Sequence, residues 1–433
     1  MKLLAIAFVL SAGPWNLQNC IDYALEHNIS VQQSEINVKQ KEITLNTARN
    51  SRLPDLAANA SENLSFGRGL TEDNTYARTN TSSTGFSLGT SIPVFNGFEI
   101  NNSIKMGRID LAAATADLEK ARNDIRVSVA QAYVEILYDK EILNVALSQV
   151  AVDSMLVARR KAMRLSGKAS AADVVAQEAT YAQSKLNATQ ARNSLNIAIL
   201  SLTQLLELSS PEGFDVESPS ENALGLQLLM NPEDIYARAV DIKPEIKSES
   251  LRLDYAEVAI KRAKGGYMPS LSLSGGIGSN FYTALGRESL SFADQMKNNF
   301  SQYVGVSLSV PIFSRLSTRN QVRSAKLSYD NQSLELEKTK KALYKEIQQA
   351  YYNAVASQSK YVSSGEAARS AEASYTLTME KYENGKSNVT EYNEAKNRYL
   401  EAESNYLQAR YECLFQTSLL NFYATNRIEF PAE

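Results

Sequence analysis

The chain has 433 residues, with 45 lysines and arginines against 48 aspartates and glutamates, for a formal net charge of −3. That balance offers no basic excess for a nucleic-acid partner. One histidine (His27) and two cysteines (Cys20, Cys413), with no Cys-x-x-Cys motif, are too few for a zinc or iron–sulfur centre, and no cofactor is expected.

Met1-Lys2, the apolar run Leu3–Leu10 and the small residues Ser11-Ala12-Gly13 predict a secretory signal over 1–13. A first repeat spans 14–208. It opens with a helix over 17–51, closed by Pro54 because proline cannot continue the hydrogen-bond ladder. Strands follow at 54–66 and 84–95. Leu56, Ala58, Ala60 and Leu64 share one parity, interrupted at Glu62, and Phe86, Leu88, Ile92 and Val94 do the same in the second strand. The polar stretch 67–83 between them reads as a loop. A proline-free helix over 98–166, rich in good helix formers, stops at Gly167-Lys168, and a helix over 170–208 doubles back with Ser170 as its N-cap.

A Pro/Gly-bearing linker over 209–231 separates this plan from a second copy over 232–424. That copy contains a helix 233–265, strands 269–281 and 303–313, a long helix 316–384 and a helix 388–424, with a tail over 425–433. Pro54 and Pro269 lie 215 residues apart, whereas Pro93 and Pro311 lie 218 apart. The 218-residue step also relates Gln131-Ala132-Tyr133 to Gln349-Ala350-Tyr351, and Gly167-Lys168 to Gly385-Lys386. A register held over that distance marks an internal duplication.

The final helix places Tyr392, Ala395, Tyr399, Ala402, Tyr406, Ala409 and Cys413 in alternating steps of three and four, the seam of a left-handed coiled coil. Cys413 on that seam reads as a small core residue, although an oxidising compartment would allow a Cys20–Cys413 disulfide. The first-copy seam is Val174, Gln177, Tyr181, Ser184, Ala188, Ala191, Leu195 and Ala198. The long helix is apolar on more than one line, which suits the wall of a tube.

The strands have the length and alternation of membrane β-strands, and Phe66, Phe86, Phe95, Phe281, Tyr282, Phe300, Tyr303 and Phe313 could form interfacial girdles. Four strands cannot close a barrel, and open edges are not tolerated in lipid. Two chains would give a filled eight-stranded barrel and three a twelve-stranded channel, so a homotrimer is the favoured assembly.

In this plan the chain resembles the TolC-like outer-membrane efflux channel family. The likeness covers the duplicated architecture, the strand endings Ile92-Pro93-Val94-Phe95-Asn96-Gly97 and Val310-Pro311-Ile312-Phe313, and the turns Gly167…Asp173 and Gly385…Glu391. The resemblance implies a mainly helical protein with a trimeric twelve-stranded β-barrel, four strands per chain, continuous with a long α-helical barrel. It implies an outer-membrane location extending into the periplasm, contact with outer-membrane lipid, and a passive exit duct of a tripartite efflux or type I secretion system. The hairpin turns at Gly167, Lys168, Gly385, Lys386 and Ser387 would dock a periplasmic adaptor protein belonging to an inner-membrane pump. Glu391 and Glu394 match the family's acidic ring at the periplasmic entrance, and Asp173 and Tyr382 match its tip-closure positions. One member of that family has a basic residue where Ser387 stands here and a threonine where Ala172 stands, departures that weaken the case for an identical ionic latch.

No catalytic site emerges. Gly385-Lys386-Ser387 resembles the end of a phosphate loop, but Glu380 stands where its first glycine is required. His27, in a polar helix stretch, reads as exposed, and the many helical carboxylates read as solvated faces. The competing architecture is a trimeric coiled-coil stalk or adhesin of the cell envelope, without channel activity.

Overall fold

A computed structural model of the chain describes residues 13–70, 74–78, 80–218, 228–284, 288–428 and 430. Nearly all of the predicted signal, and residues 219–227 of the predicted linker, lie outside them. In chain order the elements are helices α1 (Leu17–His27) and α2 (Ile29–Asn50), then strands β1 (Ala57–Ser65), β2 (Arg68–Leu70), β3 (Tyr76–Arg78) and β4 (Thr81–Asn96). Helices α3 (Glu99–Leu165), α4 (Ala171–Leu205), α5 (Pro232–Ile242) and α6 (Pro244–Lys264) follow. The chain ends with β5 (Ser270–Ala284), α7 (Phe292–Asn298), β6 (Ser301–Ser309), α8 (Ser317–Glu383) and α9 (Val389–Thr425). Helices α3 and α8 each run 67 residues.

Two helices expected to be continuous are broken. The helix predicted over 17–51 divides at Asn28, whose backbone is extended (φ −63°, ψ 130°). Asn28 closes α1 through its N–H to the Ala24 carbonyl at 2.8 Å, and its side-chain oxygen accepts from the Ser30 N–H at 2.9 Å to start α2. The helix predicted over 233–265 divides at Lys243 (φ −73°, ψ 125°), because the residue before Pro244 is driven out of the helical region. Lys243 repeats the closure, its N–H meeting the Ala239 carbonyl at 2.9 Å. The two breaks stand 215 residues apart, in the register of Pro54 and Pro269.

The chain divides into two compact units. One takes Val38–Ala114 and Glu249–Leu336 and contains an antiparallel sheet of order β1-β4-β5-β6. Its register sets Ala60, Phe86 and Ser279 side by side, then Ala58, Leu88 and Ile277, then Ile92, Leu273 and Val306. One face is therefore apolar except near the start of β4, where Glu62 accepts from the Ser82 and Thr84 hydroxyls, and the other carries Ser87, Ser91 and Ser274. Away from α7 the apolar face is uncovered: Val304, Val306 and Leu308 are exposed, and within one chain β1 and β6 are unpaired edges. Strand limits shift by a few residues from those expected, with β4 starting at Thr81 and β6 ending at Ser309 before Pro311. The stretch read as a loop over 67–83 holds the β2–β3 hairpin.

The strand-to-helix corners match in both copies. Gly97-Phe98 and Arg315-Leu316, 218 residues apart, all have positive φ. At Gly97 an added Cβ would lie 2.4 Å from the Gly265 carbonyl oxygen, so side-chain bulk cannot enter that corner.

The other unit takes residues up to Asn37, Thr115–Ser248 and those from Glu337 on. Its largest core gathers Ile21, Val129, Ile136, Leu137, Leu202, Leu206, Tyr411 and Leu414. Within the predicted linker, Glu217 is tied in: the Tyr133 hydroxyl donates to its carbonyl at 2.6 Å, and its N–H donates to the Trp15 carbonyl at 2.9 Å. Cys20 and Cys413 are both buried and both free, so the disulfide considered above is not formed. Burial raises the Cys20 thiol pKa to about 12. His27 is half-buried rather than exposed, its ring stacked on Tyr23 at 4.0 Å.

Candidate functional site

The two hairpin turns have the same backbone. Helix α3 ends as the Gly167 N–H bonds the Arg164 carbonyl (3.0 Å) and the Lys168 N–H bonds the Met163 carbonyl (2.8 Å). Helix α8 ends as the Gly385 N–H bonds the Tyr382 carbonyl (3.2 Å) and the Lys386 N–H bonds the Lys381 carbonyl (2.8 Å). Both glycines are left-handed, at φ +72° and +69°. This closure needs a residue that adopts positive φ without steric cost, and that is why glycine occupies both places. The next helix is capped in each case, by Ser170 for α4 and Asn388 for α9.

The predicted acidic residues fall on these caps. Asp173 closes a capping box, its carboxylate accepting from the Ser170 N–H (2.9 Å) and hydroxyl (2.8 Å). Those two bonds, with a smaller contribution from Arg160, hold its pKa below the usual aspartate range. Glu391 is the equivalent residue. Its N–H donates to the Asn388 side chain at 2.9 Å, and its carboxylate accepts from Asn388 and from the Ser387 hydroxyl. Glu394 is exposed one turn further along α9, and Gly167, Lys168, Gly385 and Lys386 are exposed while Ser387 is half-buried.

Within one chain Asp173 and Tyr382 are held by different partners, Asp173 by Ser170 and Tyr382 by Gln177 and Arg160. Tyr382, only 3% exposed, donates from its hydroxyl to the Gln177 side-chain oxygen at 3.0 Å and accepts from Arg160 Nε at 3.1 Å. The Arg160 guanidinium also lies 4.0 Å from the Tyr382 ring centroid, and Tyr392 stacks beneath that ring at 4.8 Å. Beside it, Arg159 pairs with the Glu383 carboxylate at 2.8 Å and donates to the Glu383 carbonyl at 3.1 Å. Two adjacent cations on α3 thus grip the C-terminal end of α8, where the helix dipole favours positive charge. The sequence reading named Tyr382 but not the partners that hold it. The Arg159-Arg160 dipeptide eight residues before the glycine turn and Gln177 on the α4 seam were the visible signals for those partners.

A second connection lies deeper and was also missed. Asp153 of α3 is fully buried and accepts from Lys396 Nζ of α9 at 2.5 Å and from the Ser184 hydroxyl of α4 at 2.5 Å. Lys396 also donates to Ser184 at 2.9 Å, and the Tyr392 hydroxyl stands 3.4 Å from the other Asp153 oxygen. Tyr375 of α8 reaches the Tyr392 hydroxyl at 3.4 Å. One polar network therefore joins all four helices. Asp153 is not part of a solvated face; burial makes its pairing obligatory. The desolvation of Tyr392 raises its pKa well above the ordinary tyrosine value.

The family model described as outer membrane efflux protein matches residues 20–207 and 235–421, one match in each copy of the duplicated plan. The outer membrane protein TolC of Escherichia coli is 23% identical over 430 residues, covering 95% of this chain and 84% of that protein. The outer membrane efflux protein BepC of Brucella suis is 20% identical over 406 residues, covering 94% of this chain and 84% of that protein. Among solved structures, the outer membrane protein VceC of Vibrio cholerae superposes with a TM-score of 0.74 at 18% identity, over 94% of this chain and 95% of that one. That likeness gives the fold, and the family match gives the class and its outer-membrane location, with the helices extending into the periplasm. The chain belongs to the outer membrane efflux protein family.

Proposed function

We propose that this protein is a passive, homotrimeric exit duct whose hairpin tips form the periplasmic entrance and dock an adaptor protein serving an inner-membrane pump. The observation that carries the reading is the sheet. Four strands expose one apolar face and two unpaired edges, and in lipid such a sheet is stable only when copies close it. Three copies supply twelve strands, enough to leave a channel. The exposed, capped turns at Gly167-Lys168 and Gly385-Lys386-Ser387 offer a repeated polar surface for the adaptor. Around a three-fold axis, Glu391 and Glu394 would form rings of negative charge that favour cations.

Purified protein in planar bilayers is expected to conduct as a trimer, with Glu391→Gln plus Glu394→Gln lowering its preference for cations. Unchanged selectivity would remove the acidic ring, and absence of current from a correctly inserted trimer would remove the duct. Site-specific crosslinking from Lys168 and Lys386 in cells tests docking and is expected to capture a periplasmic adaptor.

A further inference from the structure

The sheet carries one element that a conduit does not require. Helix α7 stands between β5 and β6, capped by the Ser291 hydroxyl, which accepts from the Asp294 N–H at 3.2 Å. Gln295, nearly buried, fastens it to β5: its side-chain oxygen accepts from the Tyr282 N–H at 2.9 Å and its amide donates to the Tyr282 carbonyl at 2.9 Å. Asn299 donates to the Asn280 carbonyl at 2.7 Å. These β5 groups lie beyond the reach of β6, which starts at Ser301 opposite Gly278. The fastening is thus at the end of the sheet away from the β4–α3 corner, the extracellular rim of an outer-membrane barrel.

Register tells which face the helix lies on. Ser279, paired with Phe86, is on the apolar face, and its hydroxyl donates to the Met296 carbonyl at 2.7 Å. The Phe292 ring meets Phe281 at 5.2 Å and Phe86 at 6.4 Å, both on that face. A groove of about 420 Å³ runs beside α7, lined by Ala60, Phe86, Leu88, Ile277, Met296 and Phe300. Phe292 and Phe300 remain 52% and 56% exposed. Rings held half-exposed above an apolar band fit the boundary between acyl chains and headgroups. The groove is continuous with the band formed by Leu273, Val304, Val306 and Leu308.

We propose that α7 is an interfacial anchor seated in the outer leaflet, held down by Gln295, with the groove beside it taking an acyl chain of a leaflet lipid. This rests on the outer-membrane placement of the sheet, and the test separates the two. Tryptophan is introduced at Phe292 or, as a mid-face control, at Val306. The parent protein, with Trp15 as its one tryptophan, supplies the baseline. Trimers are reconstituted in phosphatidylcholine vesicles brominated along the acyl chains. Emission from Phe292→Trp is expected to fall roughly twofold relative to unbrominated vesicles, as for a ring at the membrane boundary. If Val306→Trp is quenched while Phe292→Trp answers only to aqueous acrylamide, the anchor is wrong and the membrane placement stands. If neither is quenched by lipid, both fall. Adding Gln295→Ala should return the Phe292→Trp signal towards the Trp15 baseline while the trimer persists, and undiminished quenching would remove Gln295 as the fastening.

Discussion

The two hairpins end in the same backbone and differ in their side chains. Gly167 and Gly385, Ser170 and Asn388, and Asp173 and Glu391 correspond at the 218-residue step and do the same local work. The residues that join one hairpin to the other have no such likeness. Where the first copy has Arg159, Arg160 and Asp153, the second has Leu377, Thr378 and Ala371. Where the second has Tyr382 and Lys396, the first has Arg164 and Glu178. Two copies with the same side chains would set like charge against like. Divergence instead made one hairpin the donor of the guanidinium groups and buried carboxylate, and the other the donor of the phenol and ammonium. The two copies thus share the turn and differ in the joint between hairpins.

The deep joint offers the largest test. Lys396→Met leaves the Asp153 carboxylate buried without its cation, a loss of about 3–5 kcal/mol, read as a lower thermal midpoint of the purified trimer. Adding Asp153→Leu should restore most of it, because a buried pair replaced by apolar groups is often near neutral. The tip clasp is next. Tyr382→Phe leaves Gln177 and Arg160 without their hydroxyl partner, and about 1.5–3 kcal/mol of protection should vanish from the end of α8 in hydrogen exchange. Arg159→Ala touches an exposed pair with Glu383, should cost under about 1 kcal/mol, and should cost less still in high salt.

Much of this architecture was legible in the chain. Proline and glycine act locally, so the turns at Gly167 and Gly385 and the strand endings at Pro93 and Pro311 read directly. Alternation marked the apolar face because a strand repeats every two residues. The break at Asn28 could not be read in the same way, since asparagine is tolerated in helices and its capping role depends on what surrounds it. The break at Lys243 was legible in Pro244 and was overlooked. Helix α7 is too short for a period to declare itself. Asp153 and Lys396 look like any charged pair on a long helix, since burial comes from neighbouring helices that carry no local mark. Gln177 and Ser184 did stand on the predicted seam, and they are the polar seam residues recruited by the clasp and the buried network.

Smaller effects sharpen the comparison of the turns themselves. An added Cβ meets nothing within 4 Å at Gly167 or at Gly385, so Gly167→Ala and Gly385→Ala report backbone strain alone. Each should cost about 1–2 kcal/mol, and the two should agree closely, unlike paired substitutions in the joint. Unequal losses would mean that the turns are less alike than their hydrogen bonds imply. The smallest effect concerns pH. A carboxyl whose folded-state pKa is depressed contributes stability that is complete above the unfolded-state value of about 3.9 and disappears as pH falls through the folded value. Protection of the Ser170 turn should therefore hold at neutral pH and fade below that range, while Asp173→Asn removes the dependence. Hydrogen exchange across that acid range checks it, and an unaltered profile in Asp173→Asn would place the depressed carboxyl elsewhere.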